Sequence, residues 1–355
     1  MTPKLTVSLG LLVFLPLSVA AHTAGWGELT VFATSALSIV PLAIWLSTAT
    51  EEIAVVTGPT VGGLLNALFG NATELIIALV ALRAGLVDIV KASITGSILA
   101  NLLLVLGLAM FLGGVRYREQ TFKTIVPQVN GPSLVLAVVA ILLPTLLAST
   151  TPNLAQARVE HLSVLVAGVL ILVYGLTLVF SLKTHSYLYD VGIAEHSAPE
   201  TKPNIALWLG VLVVATLGVA YESELFVDVV EEVTARWGLT PLFTGVILLP
   251  LLGGAAEYVT AVTVALKNNM DLSISVAMGS SLLVALLVGP LLVLAGLVLG
   301  QPMDLNFTLF EAVAVAIAVT VANLISMDGR SNWLEGTLLL ATYVILGAAF
   351  YFQPA

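Results

Sequence analysis

The chain has 355 residues, 59% of them apolar and only 9% charged, far below the quarter or so of charged residues in an average soluble domain. With 21 acids against 12 Lys and Arg its net charge is −9, which argues against a nucleic-acid partner or a polybasic lipid anchor. There is no cysteine, so disulfides, thiolate chemistry and Cys-based metal sites are excluded.

So little polar coat leaves the lipid bilayer as the solvent. Apolar runs long enough to cross about 30 Å of hydrocarbon recur from end to end. In chain order they fall at about 5–21, 29–47, 58–83, 89–114, 131–149, 160–182, 205–221, 239–267, 272–299, 307–326 and 334–352. Lys4 ahead of the first run and Ser18-Val19-Ala20 near its end also suit a cleaved leader; Pro16 and the lack of polar mature sequence favour a first membrane helix. Glu51-Glu52 closes the second run, and Glu222, Glu224, Asp228, Glu231 and Glu232 follow the seventh, where Glu224, Asp228 and Glu231 share a helix face. These acids either gather cations at an entrance or form plain solvated helix ends. Asp88 and Asp271 stand near helix N-termini, where capping explains an acid.

Loop charge sets the orientation. Lys4, Arg116, Arg118, Lys123, Lys183, Lys202, Lys267 and Arg330 fall on the side of the N-terminus, against Arg83, Lys91, Arg158 and Arg236 on the other. That excess places the N-terminus in the cytoplasm and, with an odd number of spans, the C-terminus on the opposite side. The longest polar segment, 183–204, is then a cytoplasmic linker; its Asp190, Glu195 and Glu200 are too few to collect ions.

An internal repeat is the strongest signal. A shift of 183 positions aligns Gly62 with Gly245, Gly70 with Gly253, Ala72 with Ala255, Glu74 with Glu257, Ala78 with Ala261, Asp88 with Asp271, Gly96 with Gly279 and Ser97 with Ser280. The copies lie five spans apart, an odd number, so they have opposite orientations, as in transporters that bind substrate near the midplane. The expected fold is all-α and integral to the membrane: about eleven transmembrane helices, with an extra N-terminal helix (1–24), a first inverted five-helix repeat (28–182), the linker and a second repeat (205–355).

Glu74 and Glu257 lie deep in their spans, where an ionised acid costs roughly 2.5–3.5 kcal/mol and needs a partner or a water path. Gly70 before Asn71, and Gly253-Gly254 after Pro250, let those helices bend and free carbonyl oxygens beside the acids. Ser97 and Ser280 add hydroxyls, and Asn71 and Asn101 add amides in the first half. An all-oxygen set of this kind suits hard cations such as Ca²⁺. One divalent ion or up to two protons neutralises the pair, but not both at full occupancy, which is sufficient for cation/proton antiport. No cofactor is expected; Ca²⁺ and H⁺ enter as substrates. No nucleophile–base constellation suggests an enzyme.

These residues resemble the calcium/proton exchanger (CAX) family of the calcium/cation antiporter superfamily. Gly62-Gly63-Leu64-Leu65-Asn66 through Gly70-Asn71-Ala72-Thr73-Glu74-Leu75-Ile76, then Gly96-Ser97-Ile98-Leu99-Ala100-Asn101, look like its first signature. Gly253-Gly254-Ala255-Ala256-Glu257-Tyr258-Val259-Thr260-Ala261, Lys267-Asn268-Asn269-Met270-Asp271-Leu272 and Gly279-Ser280-Ser281 are similar to its second. The resemblance implies that Glu74 and Glu257 are alternately protonated cation ligands, that Asn71 and Ser280 line the site, and that the helix of Glu222 and Glu224 helps gate access. The second signature diverges: the family reads Gly-Asn-Ala-Ala-Glu-His, whereas Gly254 and Tyr258 stand at its Asn and His, and Leu283 stands where a site-lining Gln is expected. The reading is therefore an exchanger of a divalent cation, Ca²⁺ first, for protons. The alternatives are Mn²⁺ or Na⁺ as cargo, Na⁺ as coupling ion, or a transport-inactive sensor or scaffold.

Overall fold

Apolar segments in a bilayer must satisfy their own backbone N–H and C=O groups, and a helix does so within one segment. The computed structural model describes residues 8–151, 155–188 and 203–353. Its helices are α1 (Phe14–Thr23), α2 (Glu28–Phe69), α3 (Ala72–Arg83), α4 (Val87–Tyr117), α5 (Ile125–Thr150), α6 (Gln156–Thr184), α7 (Ile205–Arg236), α8 (Pro241–Gly253), α9 (Ala255–Ala265), α10 (Met270–Leu299), α11 (Leu309–Ile325) and α12 (Trp333–Phe352). Among the described residues seven helices are long and apolar enough to cross a membrane, the first of them Glu28–Gly58 within α2; α8 and α9, bent by 61° at their junction, make an eighth if taken as one span.

The bundle is layered. α4 and α10 run through its centre, and Ile98, Leu102, Leu106, Met278, Leu286 and Val315 meet there with almost no exposed surface. Each of these two helices contains a π turn, at Ala100–Val105 and at Val284–Val288. On the outside, α6, α7 and α12 present Leu165, Leu172, Leu176, Val214, Leu217, Val344 and Ile345 outward, the expected face toward lipid.

Each end of the bundle gathers its own basic residues. At one end strand β1 (Glu119–Thr121) pairs antiparallel with β2 (Arg330–Asn332). Beside it the Tyr117 hydroxyl donates to the Leu266 carbonyl and the Gln120 amide to the Ala265 carbonyl, each at 2.9 Å. Arg116, Arg118, Lys123, Lys267 and Arg330 are thereby drawn together. At the other end Arg83 pairs with Glu224 and Lys91 with Asp304, both at 2.7 Å, and Arg236 with Glu28 at 2.8 Å. Lys91 lies one turn into α4 and Tyr117 ends it, so about 40 Å separate the two groups at 1.5 Å per residue. Lys4, Lys202, Asp190, Glu195 and Glu200 lie outside the described residues, as does most of the 183–204 segment.

Three expected boundaries change. The runs 58–83 and 239–267, expected to bend at Gly70-Asn71 and Gly253-Gly254, are interrupted outright there, at Asn71 and at Gly254. The run 205–221 belongs to a helix that continues to Arg236. Burial of Leu225, Phe226, Val227, Val230 and Val233 keeps that extension helical while Asp228, Glu231 and Glu232 face out, as for a solvated helix face. Finally, α11 has 17 residues, short of the roughly 20 that a perpendicular span requires. Hydropathy counts apolar residues but is blind to breaks and to polar extensions, which explains the first two; α11 is short because Thr308 caps it, in a capping box with Glu311.

Candidate functional site

Both carboxylates sit where a helix stops and restarts. Asn71, with φ −119° and ψ 33°, interrupts the run after Gly70, and α3 restarts with Glu74 in its first turn. In the second half Gly254, with φ −81° and ψ 11°, separates α8 from α9, whose first turn carries Glu257. A helix N-terminus leaves its first N–H groups unpaired and its dipole favours negative charge, so each break places an acid where charge is tolerated inside the bilayer. The ends of the preceding half-helices contribute carbonyl oxygens to the same breaks.

The two breaks touch. A Cβ added to Gly253 would lie 2.8 Å from Glu74 Cγ, so the missing side chain is what lets Glu74 lie against the end of α8. Glu74 shares a void of about 10 Å³ with Ser97, Ser93 and Pro250, room for about one water. Its Oε1 accepts a long hydrogen bond of 3.4 Å from the Asn71 amide, and its Oε2 has no hydrogen-bond partner among the described residues. Behind it α4 crosses α8 at small residues: a Cβ on Gly96 would strike the Val246 backbone, and one on Gly245 would strike Ala92.

Glu257, 8% exposed, faces a larger cavity of about 380 Å³, enough for roughly ten waters. Gly70, Asn71, Ser280 and Glu51 line it as well. Its lining includes Leu272, next to the Asp271 that accepts the Lys123 amide, so it reaches toward the end that carries Lys123 and Lys267. Carboxylate, amide and hydroxyl oxygens therefore meet at one water-sized chamber, with the second carboxylate just behind it.

The expected residues divide accordingly. Glu257, Asn71, Gly70 and Ser280 line the large cavity, Glu74 and Ser97 the small void, and Gly253 forms the contact between the halves. Asn101 lines neither. It falls within the π turn of α4 and is packed inside the bundle, 2% exposed. Of the acids assigned to access, Glu51 is at the cavity and accepts from the Ser47 hydroxyl at 3.2 Å, while Glu52 is outside the lining. Glu222 is wholly buried against α1, accepting from the Ser18 hydroxyl at 2.6 Å. Glu224 is held by Arg83 at the far end. Neither borders the cavity. Asp271 accepts the Lys123 amide at 2.7 Å, and the capping of α10 falls instead to Asn269.

Sequence reading missed several wall residues. Asn130, 6% exposed, lines the cavity from α5; an amide inside an apolar span is itself a signal that was available. Thr50 and Thr177 also line it but bond their own helix, to the Leu46 and Val173 carbonyls at 2.9 and 3.0 Å. Hydroxyls so satisfied are common in membrane helices and carry no sequence signal.

Comparison with known proteins agrees with this architecture. The chain is 57% identical to the Ca²⁺/H⁺ antiporter of Aphanothece halophytica, covering 100% of this chain and 98% of that one. It is 58% identical to the Ca²⁺/H⁺ antiporter of Synechocystis, covering 100% and 99%. Its fold matches the solved structure of native YfkE with a TM-score of 0.86 and 37% identity, over 98% of this chain and 100% of that one. The family described as sodium/calcium exchanger protein matches residues 28–183 and 207–352. Those two stretches contain both broken helices and both carboxylates, and the chain belongs to the sodium/calcium exchanger protein family.

Proposed function

We propose that the protein exchanges Ca²⁺ for protons across a membrane by alternating access, with Glu74 and Glu257 as the shared binding groups. One observation carries this reading: two broken helices put a carboxylate on each side of a single glycine contact, beside a chamber lined by neutral oxygens. Protons and a divalent ion use the same carboxylate oxygens, so each expels the other. Asn71 and Ser280 supply neutral oxygens, and water fills the remaining positions of the 6–8 that Ca²⁺ accepts.

The chain is read as about eleven spans, with α1 as the extra helix and residues 28–182 and 205–355 as inverted repeats joined by the 183–204 linker. Two features support the repeat: the breaks at Asn71 and Gly254 are related by the 183-position shift, and the π turn at Ala100–Val105 is related by the same shift to that at Val284–Val288, within a residue. The basic cluster around β1 and β2 supports a cytoplasmic N-terminus. On that orientation the cavity opens to the cytoplasm, and the Lys91–Asp304 pair, with Gln156 donating to Asp304 at 2.9 Å, helps close the other side.

The test is proton-driven flux. Purified protein in lipid vesicles with an imposed pH gradient should take up radioactive Ca²⁺, and collapsing the gradient should stop it. Preference for Mn²⁺ or Na⁺ in competition would reassign the cargo. Absence of any cation flux from folded protein would point instead to a sensor or scaffold.

A further inference from the structure

The two half-sites are not chemically equivalent. Under the 183-position shift Asn71 corresponds to Gly254 and Leu75 to Tyr258. In the first half the Asn71 side chain reaches Glu74, and Leu75 packs into the apolar core. In the second half there is no side chain at the break. A Cβ on Gly254 would lie 2.9 Å from Tyr258 Cε1 and 3.0 Å from both its Cζ and its hydroxyl oxygen. The ring therefore fills the volume that a residue at 254 would need.

The phenol is also bonded. Its hydroxyl donates to the Pro250 carbonyl at 2.7 Å, and the same carbonyl accepts the Gly254 amide at 2.9 Å. Pro250 belongs to α8 and Tyr258 to α9, so this bond spans the 61° bend that presents Glu257. Pro250 borders the void beside Glu74. The phenol thus ties the break to the carbonyl of the residue that borders the void of Glu74.

We propose that Tyr258 is the positioning residue of the second half-site, its hydroxyl holding the helix break through the Pro250 carbonyl where the first half relies on an amide bonded to the carboxylate itself, and that Gly254 is required to admit its ring. The two positions form one unit. The hydroxyl holds the bend in the geometry that aims Glu257 at the cation, so its loss weakens cation binding more than turnover. This rests on the exchange reading above.

Proteoliposome uptake of radioactive Ca²⁺ under a fixed pH gradient tests it, with detergent melting curves as the fold control. Tyr258→Phe keeps the ring and removes the bond; it should raise the Ca²⁺ KM about two- to tenfold, the equivalent of one net hydrogen bond, with the maximal rate nearly unchanged. Gly254→Asn should abolish uptake because the ring cannot remain in place. The double variant Gly254→Asn with Tyr258→Leu copies the first half-site and should recover uptake well above Gly254→Asn alone. An unchanged KM in folded Tyr258→Phe, or a double variant no better than Gly254→Asn, overturns the proposal. Failure of the unmodified protein to take up Ca²⁺ strikes the exchange reading instead, so the two failures are distinguishable.

Discussion

Glu74→Gln is the sharpest perturbation, because it removes a carboxylate and leaves nearly everything else in place. Glu74 makes one long side-chain hydrogen bond, 3.4 Å from Asn71, and packs its Cγ over Gly253. A glutamine has the same reach and keeps an amide oxygen for Asn71, so at most about 1 kcal/mol of hydrogen bonding is at stake. Against that, a neutral amide avoids the roughly 2.5–3.5 kcal/mol that an ionised acid costs at such depth. The melting temperature should therefore hold or rise. Cation binding should not survive so well: a buried charge that loses one partner of its pair costs about 2–5 kcal/mol, at least a 30-fold drop in Ca²⁺ affinity on the scale of about 1.4 kcal/mol per factor of ten. Ca²⁺ titration of the purified variant, with proton-driven uptake in vesicles, measures both quantities. Near-normal affinity and flux in folded Glu74→Gln would refute the shared-carboxylate mechanism, whatever the family membership.

Other outcomes follow from the same geometry. In the unmodified protein, lowering the pH on the cavity side should raise the Ca²⁺ KM without lowering the rate at saturating Ca²⁺, since protons and cation compete for the same oxygens; a pure rate effect would argue for separate sites. Leu283, 7% exposed, lines the cavity, so Leu283→Gln should lower the Ca²⁺ KM by adding a neutral oxygen, provided the slightly different shape is accommodated; an unchanged KM would remove position 283 from the site. Lys91→Met should lower the melting temperature by leaving Asp304 buried without its cation, and adding Asp304→Asn should restore part of the loss; equal melting of the single and double variants would show that the pair is not coupled. Single cysteines near Arg118 and Lys183 should react with an impermeant reagent only from the cytoplasmic face, and one near Arg158 only from the opposite face; labelling of all three from one side contradicts the eleven-span reading.

Composition and periodicity were sufficient to identify a membrane protein, because a chain with 9% charged residues has no polar coat to offer water. The repeat that the sequence suggests rests on acids, Gly and Ser that rarely align by chance in one register, and it put Glu74 and Glu257 forward as candidates without coordinates. A linear reading located the bends at Gly70-Asn71 and Gly253-Gly254 but could not supply their extent. Whether 58–83 and 239–267 are intact helices depends on backbone angles at Asn71 and Gly254, and the answer moved both acids from mid-helix to the N-termini of half-helices.

Tertiary packing alone decided which polar residues share a chamber. Asn101 is four residues from Ser97, yet it lines neither cavity; Asn130, far off in the chain, comes to the cavity wall. Glu222 reads in sequence as a gating acid or a solvated helix end but is buried against Ser18, because α7 continues past its apolar stretch and α1 covers it. The departure at Gly254 reads in sequence as a lost ligand. In three dimensions it is the space that Tyr258 fills, since whether a missing side chain is a vacancy or an accommodation depends on which neighbour occupies its volume, and neighbours across a helix break are fixed by packing and not by order in the chain.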